Sequence, residues 1–323
     1  MVRPRRPPPG RDPRAAARLG RGRTATLGNG REALRRNGFR HARPPIRPRA
    51  PSTTEAMVDD TAATTWGYGD YPAMAARLYP AAVAAIEAAA VSPGDRVVDI
   101  ATGTGNAALL AAARGAEVVG VDFEPALLRI AATRAAEHGD RIQWLRGDVG
   151  DLPLPDACAD VVVSVFGVMY ASDHDAAVAE IARIAGRGAR IVLASWLPGS
   201  ALPAMGRILA PYLPPPPAGA PPSRWGDPEA LAALLQPQCM LITASTRERI
   251  TLRFESPSAG ADFLIRTAGH VMHERQALID EGRWDRLHTD LADFVAERAE
   301  TIDGTIELPL DYLLVTITNR HIS

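Results

Sequence analysis

An α/β fold built on a mostly parallel sheet is predicted for this chain, and three observations predict it. Between Arg96 and Trp196, short β-branched segments alternate with Ala-rich segments of helical period, which is the rhythm of βαβ units. Residues 161–165 form a valine run broken only by Ser164, suited to a strand covered on both faces. The first strand runs into a glycine-rich loop, Thr102-Gly103-Thr104-Gly105, at the carboxyl edge where open parallel sheets bind their ligands.

Each element follows from local chemistry. Ala-rich segments predict helices over 71–79 and 80–90, with Pro80 pre-set to start the second. Ser92-Pro93-Gly94-Asp95 reads as a turn. Strands are then expected over 96–100, 117–121, 142–146, 161–165 and 190–196. The helices between them are expected over 107–113, 125–138 and 172–185, with a capping box from Ser172 to Asp175 opening the last. After Trp196 the rhythm breaks. A short helix over 201–209, a proline-rich loop over 211–222 and a helix over 228–235 precede a long strand, 240–254. Helices over 258–269, 271–280 and 284–300 and a last strand over 312–319 complete the chain.

Composition removes several chemistries. All 36 basic residues are arginine and none is lysine, so a P-loop and a Schiff-base mechanism both lack their essential residue. Cys158 and Cys239 have no metal-ligand spacing, and the histidines form no HxH or HxxxH pair, so no metal site is expected. No stretch approaches the roughly 18 apolar residues that cross a bilayer, and a cytoplasmic protein is expected. Residues 1–56 carry 15 Arg against three acids, a charge of +12, while 57–323 carry −13. That Arg- and Pro-rich extension buries too little surface to offset its ordering entropy, so disorder is expected there. A targeting peptide and a nucleic-acid-binding arm are two readings of it. The favoured reading places the start of the functional protein at Met57, with one domain over 57–323.

The glycine loop is not specific alone, because Gly103 to Ala108 also matches the dinucleotide pattern GxGxxA. Three acids make it so: Asp99 ends the first strand, Asp122 the second in VVGVDFEP, and Asp148 follows the third in LRGDVGDLP. With these residues the chain resembles class I S-adenosylmethionine (SAM)-dependent methyltransferases, in particular the branch similar to ubiquinone/menaquinone-biosynthesis methyltransferases. Ala101 stands where that family's loop usually has its first glycine. The resemblance runs from about Trp66 to Arg320, including WGYGDY at 66–71 and SRWGDPEALAALL at 223–235. It implies a Rossmann-like seven-stranded sheet, the last strand antiparallel, with helical lid insertions over 197–236 and 257–302.

The resemblance also implies roles. Asp99, Ala101, Thr102, Gly103 and Gly105 would line the methionine moiety of SAM. Asp122 would accept from the ribose hydroxyls, with Phe123 beside the adenine. Asp148 would accept from the adenine amine, near the Val149 backbone, and Phe166 and Gly167 would face the methyl group. On the acceptor side, His174 is a candidate general base and Tyr170 a candidate hydrogen-bonding residue. Trp66, Tyr68 and Tyr71 are candidates for an aromatic lid, and His270 and His273 lie in a predicted lid helix. Apolar insertions and an acidic body favour a small, largely apolar organic acceptor over nucleic acid. The alternatives are a nicotinamide-dependent oxidoreductase, whose short-chain form needs the lysine this chain lacks, and a SAM-binding protein without catalysis.

Overall fold

The computed structural model describes residues 46–49, 65–136, 142–215 and 220–319. Its sheet follows the order β3-β2-β1-β4-β5-β8-β6, with a short β7 paired to β8. The strands are β1 (Arg96–Ile100), β2 (Glu117–Asp122), β3 (Ile142–Arg146), β4 (Ala159–Val165), β5 (Ala185–Trp196), β6 (Met240–Phe254), β7 (Glu300–Ile302) and β8 (Thr305–Asn319). β1 to β5 pair in parallel. β8 runs antiparallel to both of its long neighbours, β5 and β6. The expected mostly parallel, Rossmann-like sheet with an antiparallel last strand is therefore present, with eight strands among the described residues in place of the expected seven because the short β7 folds back on β8 as a hairpin.

The order matters for function. The chain builds outward through β1, β2 and β3, then returns to lay β4 on the other side of β1. A crevice opens where connections leave in opposite directions. That switch point lies between the ends of β1 and β4, so the loops after Ile100 and Val165 face each other across it. Val97, Val98 and Ile100 of β1 and Val161, Val162 and Val163 of β4 are fully buried, which fixes both strand ends rigidly.

Helices cover this sheet: α1 (Tyr71–Ala88), α2 (Asn106–Ala113), α3 (Pro125–Ala135), α4 (His174–Ile184), α5 (Ala201–Leu209) and α6 (Pro228–Leu235). After β6 come α7 (Pro257–Thr267), α8 (Gly269–His273), α9 (Arg275–Asp280) and α10 (Trp284–Arg298). α1 lies against β4, β5 and β6; α5 and α7 both pack on α10.

Several boundaries differ from expectation for physical reasons. The two helices expected at 71–79 and 80–90 are one, α1, with Pro80 inside it. Met74, Ala75, Leu78, Ala81, Ala82, Ala85 and Ile86 form one continuous buried face, while Pro80 and Ala76 face outward. Packing holds the helix through the lost hydrogen bond. α4 begins at His174 and is capped by Asp173, whose carboxylate accepts from the Asp175 and Ala176 N–H groups at 2.9 and 3.0 Å. The expected Ser172 cap gives way because a carboxylate sits better at the positive end of a helix. The helix expected over 271–280 divides into α8 and α9. The final strand starts at Thr305, and a tight hairpin joins it to β7 through Asp303 and Gly304, at φ of 49° and 78°. These are the positive angles a two-residue hairpin turn demands.

The expected disorder of the N-terminal extension lies outside the described residues except at 46–49. There Ile46 is buried and Arg49 N–H donates to the Pro153 carbonyl at 3.0 Å. No helix among the described residues is long and apolar enough to cross a membrane, and none of their His, Cys, Asp and Glu side chains group as a metal site.

Candidate active site

The loop after β1 is shaped by backbone conformation. Ala101, Gly103 and Gly105 have φ of 52°, 56° and 83°. The left-handed region suits the two glycines and strains the alanine by roughly 1–2 kcal/mol. At the end of β4, Phe166 is also left-handed, at 60°. The two loops touch: a Cβ on Gly167 would lie 2.4 Å from that of Ala101. Strained non-glycine residues on both sides of one crevice are typical of functional sites.

Two carboxylates hold this loop. Asp99, 2 % exposed, accepts from the Thr102 hydroxyl at 2.6 Å and the Ala108 N–H at 3.0 Å. It ties the loop to the start of α2. Burial pushes its pKa up to about 7 against those two hydrogen bonds. Asp122, 5 % exposed, accepts from Gly103 N–H at 2.7 Å and Glu124 N–H at 2.9 Å. Burial pushes it up to about 6. Arg134 of α3 adds a third tie, donating to the Thr104 hydroxyl at 3.1 Å and the Asn106 side chain at 3.0 Å. Trp144 of β3 lies beneath: a Cβ on Gly105 would meet its ring at 2.7 Å, and one on Gly120 at 2.5 Å. Neither Arg134 nor Trp144 stands out in the sequence, where each reads as an ordinary helix or strand residue.

A cavity of about 810 Å³ opens over the strand ends. Ala101, Gly103, Asp122, Phe123, Asp148, Val149, Phe166 and Gly167 line it from the sheet side. Phe123 stands at the rim, 39 % exposed, and Asp148 is held by the Gly150 N–H at 2.7 Å. Leu202, Met205 and Leu209 of α5, with Leu264 and Thr267 of α7 and His270 of α8, form the opposite wall. The expected lid insertions thus cover the strand ends. Asp99 and Thr102 line instead a chamber of about 30 Å³, whose wall shares Tyr71, Leu78, Ala101 and Phe166 with the main cavity. Gly105 is turned onto Trp144 and lines neither space.

Aromatic rings close the cavity. Trp66 meets Tyr170 edge-on at 5.1 Å and Tyr71 at 6.0 Å. Phe166 stacks flat on Trp196 at 3.6 Å. Tyr68 is not part of this lid; it is half exposed and packs edge-on against His273 at 4.7 Å. Tyr170 is 46 % accessible and lines the cavity. Protein surrounds its phenol closely enough to push the pKa up to about 12, an effect that the nearby Trp196 side chain partly offsets. The Tyr71 phenol is also pushed up, by burial and then by Asp122, Tyr170 and Asp99.

His174, the expected general base, does not line the cavity. It is 3 % exposed, and its ring packs edge-on to Trp225 at 5.6 Å. Burial, then the Arg224 charge, lowers its pKa. The Met169 backbone lies near the ring, but neither ring nitrogen has a hydrogen-bond partner among the described residues. His174 is thus corrected from an acceptor-side base to a buried packing residue. The reason is tertiary: Trp225 arrives from the 197–236 insertion and covers the start of α4.

Comparison with known proteins agrees with this geometry. A family model described as "Methyltransferase domain" matches residues 97–188. An uncharacterized protein of Mycobacterium tuberculosis is 32 % identical over 83 % of this chain and 98 % of its own length. The demethylmenaquinone methyltransferase of Thermus thermophilus is 38 % identical over 35 % of this chain and 53 % of its own. The crystal structure of the YcgJ protein of Bacillus subtilis superposes with a TM-score of 0.52 at 19 % identity, covering 76 % of this chain and all of that one. The chain is of one family with this mycobacterial protein, and it belongs to the class I SAM-dependent methyltransferases, in the branch similar to the ubiquinone/menaquinone-biosynthesis enzymes.

Proposed function

We propose that this protein binds SAM across the ends of β1, β2 and β3 and transfers its methyl group to a small, largely apolar organic acceptor. One observation carries this reading: a single cavity runs from the strand-end carboxylates to the apolar wall of the insertions. Its volume of about 810 Å³ lies at the large end of the range for ligand pockets, which suits a donor and an acceptor side by side.

The donor set fits the methyl donor. Asp122 has both oxygens oriented by backbone N–H groups and suits a pair of ribose hydroxyls. Phe123 at the rim suits a flat heterocycle, and Asp148 with the Val149 backbone suits its amine edge. The side chamber with Asp99 and Thr102, next to Ala101 and Gly103, suits the amino-acid end. When bound, SAM supplies a methyl carbon already activated by a sulfonium. The chain's remaining task is positioning, worth roughly 7–11 kcal/mol of barrier when well done. The faces of Trp66, Tyr71 and Tyr170 favour a cation beside them, and the lid keeps water from the reacting atoms. Tyr170, protonated at neutral pH, donates to the acceptor.

The likeness to demethylmenaquinone methyltransferases spans about a third of this chain, so it supports the donor and leaves the acceptor to the insertions. Titration calorimetry tests the reading. SAM and its demethylated product should give saturable heats, and NADH none; a folded sample silent to SAM would refute it.

A further inference from the structure

With His174 buried elsewhere, the cavity still contains one group suited to take a proton. The titratable residues among its described lining are Asp122, Asp148, Tyr71, Tyr170 and His270. Asp122 and Asp148 are held by backbone N–H groups on the sheet side, and both phenols are pushed up and stay protonated. His270 stands on the insertion wall. Its place there is built. Asp70 N–H donates to the Arg266 carbonyl at 2.8 Å, and a Cβ on Gly69 would meet the Gly269 nitrogen at 2.8 Å. These contacts lock the start of α8 to the segment carrying Trp66.

We propose that His270 is the acceptor-side base, taking the proton from a hydroxyl or amine of an uncharged acceptor as that atom receives the methyl group. This rests on the methyl-transfer reading of the cavity. The acceptor's O–H or N–H bond breaks, its proton going to the imidazole and its electron pair staying on the heteroatom. That atom forms the bond to the methyl carbon. The carbon–sulfur bond breaks with its pair on sulfur, leaving a neutral thioether, and the imidazolium later returns its proton to water.

Two further observations support it. His270 keeps an exposed edge, yet the protein packed around its ring lowers its pKa by desolvation, which favours the neutral imidazole near pH 7. The groups on neighbouring segments are engaged with one another, Arg266 with Asp70 at 3.6 Å and the His273 ring hydrogen-bonded to the Glu274 carboxylate at 3.0 Å. In a chain with 36 arginines, none is among the described cavity-lining residues, whereas two aspartates are. A carboxylate or phosphate on the acceptor would find no counter-charge, so the acceptor is uncharged.

The test uses 4-nitrophenol, an uncharged acid whose anion absorbs in the visible, added to full-length protein saturated with S-adenosylhomocysteine. At a pH where the free probe is mostly protonated, the wild-type complex should show about a tenfold higher anion fraction, an effect of one pKa unit. His270→Gln should bind S-adenosylhomocysteine with unchanged affinity and lose the anion band. A band that survives His270→Gln, or no saturable probe binding to wild type, overturns the proposal alone. No calorimetric heat with S-adenosylhomocysteine in wild type overturns the underlying methyl-transfer reading, and the proposal with it. Should His270→Gln fail to fold, the wild-type His270 imidazole resonance decides. Probe binding must move it to its protonated position, and an imidazole that stays neutral overturns the proposal.

Discussion

Ala101 occupies a backbone position that glycine would hold without strain, and the loop it shapes lies at the centre of the site. Ala101→Gly should stabilise the protein by about 0.5–1 kcal/mol, the relieved strain of roughly 1–2 less the extra freedom of the unfolded chain. Urea denaturation measures it, and a loss instead would mean that the φ of 52° carries no strain. Asp122→Ala should weaken SAM binding by about 1.5–3 kcal/mol, the worth of a hydrogen bond to a charged group. Calorimetry checks this, and unchanged affinity would remove Asp122 from the ribose. The strand-end acids were legible in the sequence because their position relative to the glycine loop is set by chain connectivity. His174 misled because only Trp225, far along the chain, decides which way its ring is covered. Trp144 was silent for a related reason. Its value lies in the side chains that Gly105 and Gly120 lack, and that relation exists only once β2 and β3 are paired.

At the scale of elements, segments whose pattern fits a single period were the most readable part of the chain. β3 matches its expected bounds, as do α5, α6 and β6, because each has a composition that fits one period only. α1 was misread as two helices because Pro80 is a strong local signal that a continuous apolar face overrides. Pro80 offers no N–H to the Ala76 carbonyl on the exposed side of α1, so Pro80→Ala should restore that bond. A gain of about 2 kcal/mol is expected, the helix-interior penalty of proline less its restriction of the unfolded chain. Thermal melting would show it as a raised midpoint; a lowered one would mean that the proline fits α1 without cost. The β7–β8 hairpin was missed although its signal is present. Asp303-Gly304 lies between segments that alternate, and that dipeptide is the strongest short-range mark of such a turn.

For the molecule as a whole, the two loop carboxylates tie stability to pH. Asp99 at about 7 and Asp122 at about 6 are both raised from 3.8. The folded state therefore holds their protons more tightly than the unfolded one. Their contribution to stability is fully present below about pH 4 and is lost as pH rises through 6 to 7. A bound cationic donor offsets that loss by stabilising the ionised forms. The rise in melting temperature on adding SAM should accordingly be larger near pH 8 than near pH 5. Thermal scans at both values test this, and equal shifts would detach these carboxylates from the ligand.

The placing of β8 also bears on how the protein is made. Among the described residues it is the last strand in sequence, yet it lies inside the sheet between β5 and β6, pairing with β6 from Met240 to Phe254. Synthesis proceeds at roughly 5–20 residues per second and folds chains from the N-terminus. While Thr305–Asn319 is still in the ribosome, β5 and β6 are two open edges with a gap between them. The nascent chain is then at its most aggregation-prone until β8 emerges, and a ribosomal stall or stop codon shortly before Thr305 would cost far more than the fifteen residues of that strand.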